Sequence, residues 1–172
     1  MKLRFFPTTI FRETPKVTFF DAGLDASNGC DVVIHSEEAL SPPDDFKDEQ
    51  YYVHNHQIDH NLVITGERTF VLINPEWDKP HHVIYLNRSM GALEIPIGTY
   101  HRSISGKEGS IVLNQPTRDK FFDPAKEFIP QKLDKISLIK ARKNPPVYWV
   151  WENDRIKRVG FNPIERKIKA LT

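Results

Sequence analysis

Three observations on this 172-residue chain predict an all-β fold. Thirteen prolines and eight glycines are spread along it rather than clustered, which argues against long helices and punctuates short strands. Runs of β-branched and aromatic residues recur at roughly 8–12-residue spacing with turn signals between them, the rhythm of a sandwich or barrel. The length suffices for one well-buried domain and does not demand two.

Two β-like runs open the chain, residues 3–6 and 17–20, separated by Pro7 and a turn at Glu13-Thr14-Pro15. Residues 21–29 are a loop rich in turn formers, and residues 30–35 a short apolar strand ending at His35. Residues 36–50 are acidic, carry Pro42-Pro43, and read as a solvated loop flanking the mouth of a site. Strands are expected over 51–56, 60–65, 67–74, 82–86, 92–95 and 110–114, with turns at Gly66, at 75–80 and at Pro96-Ile97-Gly98. Beyond Pro116 the pattern loosens. Residues 121–128 predict a short helix with Asp123 as N-cap and Pro124 in the first helical position. Residues 132–142 alternate apolar and basic and read as a strand or a helix, and residues 147–161 as a hairpin with an aromatic first arm.

Charge and cysteine use bound the function. Twenty-four Lys and Arg against twenty-three Asp and Glu leave a formal charge of +1, which gives no electrostatic case for nucleic acid or for an anionic membrane surface. Cys30 is the single cysteine, so no internal disulfide forms, as suits a reducing compartment. The first residues are a poor signal peptide, and no apolar run approaches the roughly 20 residues a membrane span needs. A cytoplasmic protein is expected.

The chemistry concentrates in two stretches. His54, His56 and His60 fall within seven residues, and His101 follows the turn Pro96-x-Gly98. On a strand, residues i and i+2 share a face, so a strand over 51–56 aims His54 and His56 the same way. Imidazoles converging in a buried pocket are costly unless something occupies their nitrogens, and a divalent transition metal does so. His81 and His82 read as surface residues, and Trp149 and Trp151 as sheet packing or a dimer face.

These stretches resemble the two motifs of the cupin superfamily. Its first motif is His-x-His, three or four residues, Glu, about six residues, Gly; here stand His54-x-His56, His60 in the Glu slot with Asp59 beside it, and Gly66. Its second is Gly, about five residues, Pro-x-Gly, two residues, His, three residues, Asn; here stand Gly91, Pro96-x-Gly98-x-x-His101 and Ser105 in the Asn position. Asp48 replaces the leading Gly of the first motif, and two intervals are one residue short.

The resemblance covers residues 51–115 and implies a cupin double-stranded β-helix, an RmlC-like jelly-roll barrel, over residues 1–128. A C-terminal extension, residues 129–172, is expected to pack on it without forming a second domain. It implies one divalent ion, Fe, Ni, Zn or Mn, held by His54, His56, His60 and His101. Oxygenase chemistry of the dioxygenase type is the expected activity, with sugar or keto-acid isomerase or epimerase chemistry as one alternative and small-ligand binding without turnover as another. Tyr52 and Tyr100 are candidate proton donors, Arg68 and Arg102 candidate anion binders, and Gln57 and Asn114 candidate polar pocket residues. A homodimer acting on a small-molecule substrate is expected, with residues 147–161 a candidate contact surface.

Overall fold

The structure, a computed structural model, describes residues 3–45 and 48–163. Its strands open with β1 (Phe5–Phe6), β2 (Thr9–Thr14), β3 (Val17–Asp21), β4 (Asp31–His35), β5 (Ala39–Ser41) and β6 (Gln50–Tyr51). The middle of the chain forms β7 (Gln57–Gly66), β8 (Arg68–Ile73), β9 (His81–Leu86), β10 (Ala92–Ile95), β11 (Tyr100–Ser105) and β12 (Ser110–Asn114). Then come β13 (Thr117–Arg118), α1 (Pro124–Glu127), β14 (Gln131–Lys132), α2 (Ile136–Lys143), β15 (Val147–Trp151) and β16 (Ile156–Val159).

Two six-stranded sheets carry the core. One runs β1-β10-β7-β12-β4, with β13 added to β7; the other runs β16-β15-β9-β8-β11-β5. From β7 to β12 the chain passes back and forth between them, which is jelly-roll connectivity. Between the sheets lies an apolar cluster that includes Val63, Phe70, Leu72, Ile84, Leu86, Met90 and Leu93, all at most 4% exposed. Ile84 is fully enclosed there. Ile84→Ala is expected to cost about 2–5 kcal/mol, read as a lower urea midpoint with an unchanged slope.

Gly66 turns β7 into β8 with φ of 73°, and a Cβ there would lie 2.6 Å from the Gly109 carbonyl oxygen, so only glycine fits. The expected helix near residue 123 is present: the Asp123 side chain accepts from Ala125 N–H, and Pro124 opens α1. The ambiguous run 132–142 becomes α2, whose Leu138 and Ala141 bury against Tyr51 and Ile73. β15 pairs in parallel with β9, so residues 147–159 extend the second sheet, and Trp149 and Trp151 pack against the central cluster. Residues 164–172 of the expected extension lie outside the described residues. Among the described residues no helix is long and apolar enough to cross a membrane.

Three local expectations need correction. Residues 39–41, expected within a solvated loop, form β5, which pairs with β11 at the edge of the second sheet. Residues 53–56 are not a strand: β6 ends at Tyr51 and β7 begins at Gln57. Residues 9–14 form β2, which pairs with β3 as a two-stranded sheet of its own.

Candidate functional site

Three backbone hydrogen bonds stitch the two motif stretches together. Tyr52 and His101 exchange N–H to carbonyl bonds of 2.8 Å each, and Gly98 N–H donates to the His54 carbonyl at 2.8 Å. The last bond depends on the turn that Gly98 makes with φ of 71°. Alternation along β7 and β11 then points Asp59 and Asn61, and His101 and Ser103, into one cavity of about 240 Å³ between the sheets.

At its centre, ligating atoms of His54, Asp59 and His101 all lie within 4.8 Å of one another, and all three residues are buried. Asp59 Oδ2 is 3.5 Å from His54 Nε2 and 3.7 Å from His101 Nε2. Its other oxygen, Oδ1, accepts from Gln57 Nε2 at 2.6 Å and from Asn114 Nδ2 at 2.8 Å. His101 Nδ1 donates to the Thr99 carbonyl at 3.1 Å, which leaves the Nε2 lone pair facing the cavity. Burial pushes the His101 pKa below the usual imidazole value, with His54 adding to the effect and Asp59 opposing it. This direction favours the neutral ring.

The far side of His54 meets α1. Glu127, 3% exposed, accepts from the N–H groups of Asn55 and His56 and places Oε2 3.5 Å from His54 Nδ1. That nitrogen makes no hydrogen bond within the usual limits. The Phe128 ring meets His54 edge-on at 5.0 Å and lines the cavity.

The four-histidine set expected from the sequence is not assembled. His60 projects from the opposite face of β7, where Nε2 lies 3.3 Å from Glu94 Oε2 and Nδ1 lies 3.0 Å from the Gln115 carbonyl. Strand alternation forces this, since Asp59 next to it points inward. His56 sits in the bend before β7 and pairs at 3.0 Å with Asp119 near the surface. Asp59, rather than His60, is the cavity neighbour of His54 and His101.

Tyr52 lines the cavity with its ring nearly parallel to His54. Arg68 lines it too, but its five N–H groups meet the oxygens of Ser103, Ser110 and Val33 and the His35 Nε2. It is thereby a buried structural cation with no donor left over. Tyr100 packs outside with Val71 and Leu133, and Arg102 pairs with Asp44 at 2.8 Å. Gln57 and Asn114 hold Asp59. His81 and His82, expected at the surface, are 3% and 6% exposed; His81 faces the Asn144 carbonyl, and His82 Nδ1 accepts from Trp149 Nε1 at 3.0 Å. Glu127 and Phe128 escaped sequence reasoning, because nothing near residue 127 in sequence signals that α1 returns to cover residue 54.

Two imidazole nitrogens and a carboxylate oxygen converging within 4.8 Å match in donor type a site for one divalent transition metal. The residues that fit are His54, Asp59 and His101, in place of the four histidines.

No protein-family model and no curated protein matches this sequence. Solved structures do. The sugar 3,4-ketoisomerase QdtA from Thermoanaerobacterium thermosaccharolyticum, in complex with TDP, aligns with a TM-score of 0.54 at 12% identity, covering 78% of this chain and 92% of that one. A mutant of that enzyme in complex with TDP-4-keto-6-deoxyglucose gives 0.53 at 12% identity, covering 80% and 94%. WlaRA, a TDP-fucose-3,4-ketoisomerase from Campylobacter jejuni, gives 0.50 at 11% identity, covering 74% and 87%. At such identity the likeness is one of fold. The chain has the RmlC-like cupin jelly-roll fold.

Proposed function

We propose that this chain is a sugar isomerase or epimerase that moves a proton at the carbon beside a keto group. The observation that carries this reading is the placement of His101: Nδ1 donates to the Thr99 carbonyl, so Nε2 is left facing the cavity with Asp59 Oδ2 3.7 Å away. A neutral imidazole accepts the proton from the α-carbon, and the electron pair of that C–H bond forms the double bond of an enediol as the keto oxygen takes up a proton. Asp59 then faces the new imidazolium; at an effective dielectric near 20, opposite charges about 4 Å apart attract by roughly 4 kcal/mol. Tyr52 is the candidate donor to the keto oxygen, because its ring lines the same cavity. Return of the proton to the former keto carbon moves the carbonyl, as the hydroxyl proton of the first carbon passes back to the Tyr52 oxygen that had given up its own; a proton delivered to the opposite face of the first carbon by a group other than His101 inverts it.

The solved structures of like fold support this chemistry over the oxygenase chemistry expected from four histidines. About 240 Å³ lies just below the usual range for a whole drug-sized ligand, which suits one sugar ring with any nucleotide lying outside. TDP-4-keto-6-deoxyglucose is the first substrate to test. A second reading rests on the convergence of His54, Asp59 and His101: these residues would hold a divalent ion, which supplies Lewis-acid polarisation of the keto oxygen.

The test is incubation with that sugar in D2O, followed by proton NMR with and without a chelator. Deuterium entering beside the keto group, with a moved or inverted centre, is the expected result. Turnover that survives chelation supports the first reading; turnover lost and restored by a divalent ion supports the second. Thermal stabilisation by TDP-sugars with no exchange at all overturns both in favour of a binding protein.

A further inference from the structure

The Asp59 clamp continues to the protein surface through a residue that no motif marks. Arg118 lies on β13, directly across from Gln57 on β7. Its Nε donates to Gln57 Oε1 at 2.7 Å, and Gln57 Nε2 donates to Asp59 Oδ1 at 2.6 Å. An amide has one accepting end and one donating end, and a guanidinium only donates. With its oxygen taken by Arg118, Gln57 must turn its NH2 group to Asp59.

Arg118 is itself held far more firmly than its 22% side-chain exposure requires. Its Nη2 pairs with Asp31, and its guanidinium lies 4.3 Å from the Phe122 ring centroid. Its backbone is clamped at both groups by Asn28, which accepts from Arg118 N–H at 2.8 Å and donates to the Arg118 carbonyl at 2.8 Å. Gly29 leaves room for the guanidinium and for the Pro116 ring, since a Cβ there would lie 2.9 Å from Arg118 Nη1 and 2.8 Å from Pro116 Cγ. Strand pairing alone calls for none of these side-chain contacts.

We propose that Arg118 is a positioning residue for the site: it fixes the Gln57 amide, which fixes Asp59 Oδ1 and so aims Oδ2 at His54 and His101. The proposal rests on the reading of Asp59 and His101 given above. Asn114 still holds Oδ1 when Arg118 is lost, so the expected effect is partial.

The test is Arg118→Met, followed by kinetics on the keto-sugar and by a crystal structure of the variant. A kcat lower by about 10-fold is expected, with KM unchanged within about twofold. Arg118→Lys, which can still donate to Gln57, should restore most of it. Introduced into Asp59→Asn, Arg118→Met should cause no further loss, because the residue it acts through is already altered. The crystal structure should show the Gln57 amide turned and the Asp59 carboxylate rotated. Asp31→Asn, which weakens the hold on Arg118 Nη2, is a milder variant that should lower kcat in the same direction if Arg118→Met does not fold. An unchanged kcat, a full multiplicative loss on top of Asp59→Asn, or an unmoved Asp59 and Gln57 overturns the proposal. Should the unaltered protein turn over no keto-sugar, the functional reading fails, and the crystal structure alone still decides whether Arg118 orients Asp59.

Discussion

His101→Ala is expected to lower kcat/KM on the keto-sugar by about 1,000-fold, while His60→Ala leaves it within about twofold. The sequence treats these histidines alike, and their surroundings separate them. His101 presents an unprotonated nitrogen to the cavity beside Asp59. Both nitrogens of His60 face oxygens on the other side of the sheet, one of them on Glu94, which also pairs with Arg4. Removing His60 takes the side-chain donor from the Gln115 carbonyl and leaves Glu94 with Arg4 alone, so its cost should appear in stability, as a loss of about 1–3 kcal/mol. Steady-state kinetics and urea melts on the two variants check this. Comparable catalytic losses from both would show that the cavity has been read on the wrong face of β7.

That choice of face explains what the sequence could and could not reveal. The two motif stretches, the Gly66 turn and the Pro96-x-Gly98 turn were legible because each rests on local backbone chemistry that only a few residue types satisfy. The inward set of β7 was not. Val63 belongs to the core between the sheets, but Leu62 is also buried, under Phe6, Phe20 and Leu24 on the outer face. With both faces covered, apolar residues run without alternation, and parity cannot tell Asp59 from His60. The expected common face for His54 and His56 failed for another reason: the chain bends before β7, so the period of two never begins. Glu127 and Arg118 reach the site across 72 and 61 residues from their partners Asn55 and Gln57, and such juxtapositions leave no local pattern.

Stability should fall steeply as pH drops from about 6.5 towards 4, well before carboxylate protonation dominates. Burial lowers the pKa of His35 to about 4, helped by Arg68, and burial likewise lowers that of His82 to about 4. Each ring already accepts a hydrogen bond on the nitrogen that a proton would need. Arg68 Nη1 lies 3.2 Å from His35 Nε2, and Trp149 Nε1 donates to His82 Nδ1. Protonating His35 would set a cation against the guanidinium, and protonating His82 would expel the indole N–H. In the unfolded chain both rings titrate near 6.5. Between 6.5 and 4 the unfolded state therefore binds more protons, so stability is complete above this window and is lost on descending through it. A histidine moved this far is worth up to roughly 3 kcal/mol. Two of them, with His101 adding in the same direction, remove a large part of the 5–15 kcal/mol that a domain typically has. Urea melts at pH 7.5, 6 and 5 should show a falling midpoint, and His82→Gln should make that fall shallower by up to one proton's worth. A midpoint that stays level from pH 7.5 to 5 would mean that these rings are protonated in the folded protein, and that the Arg68–His35 and Trp149–His82 bonds do not exist as described.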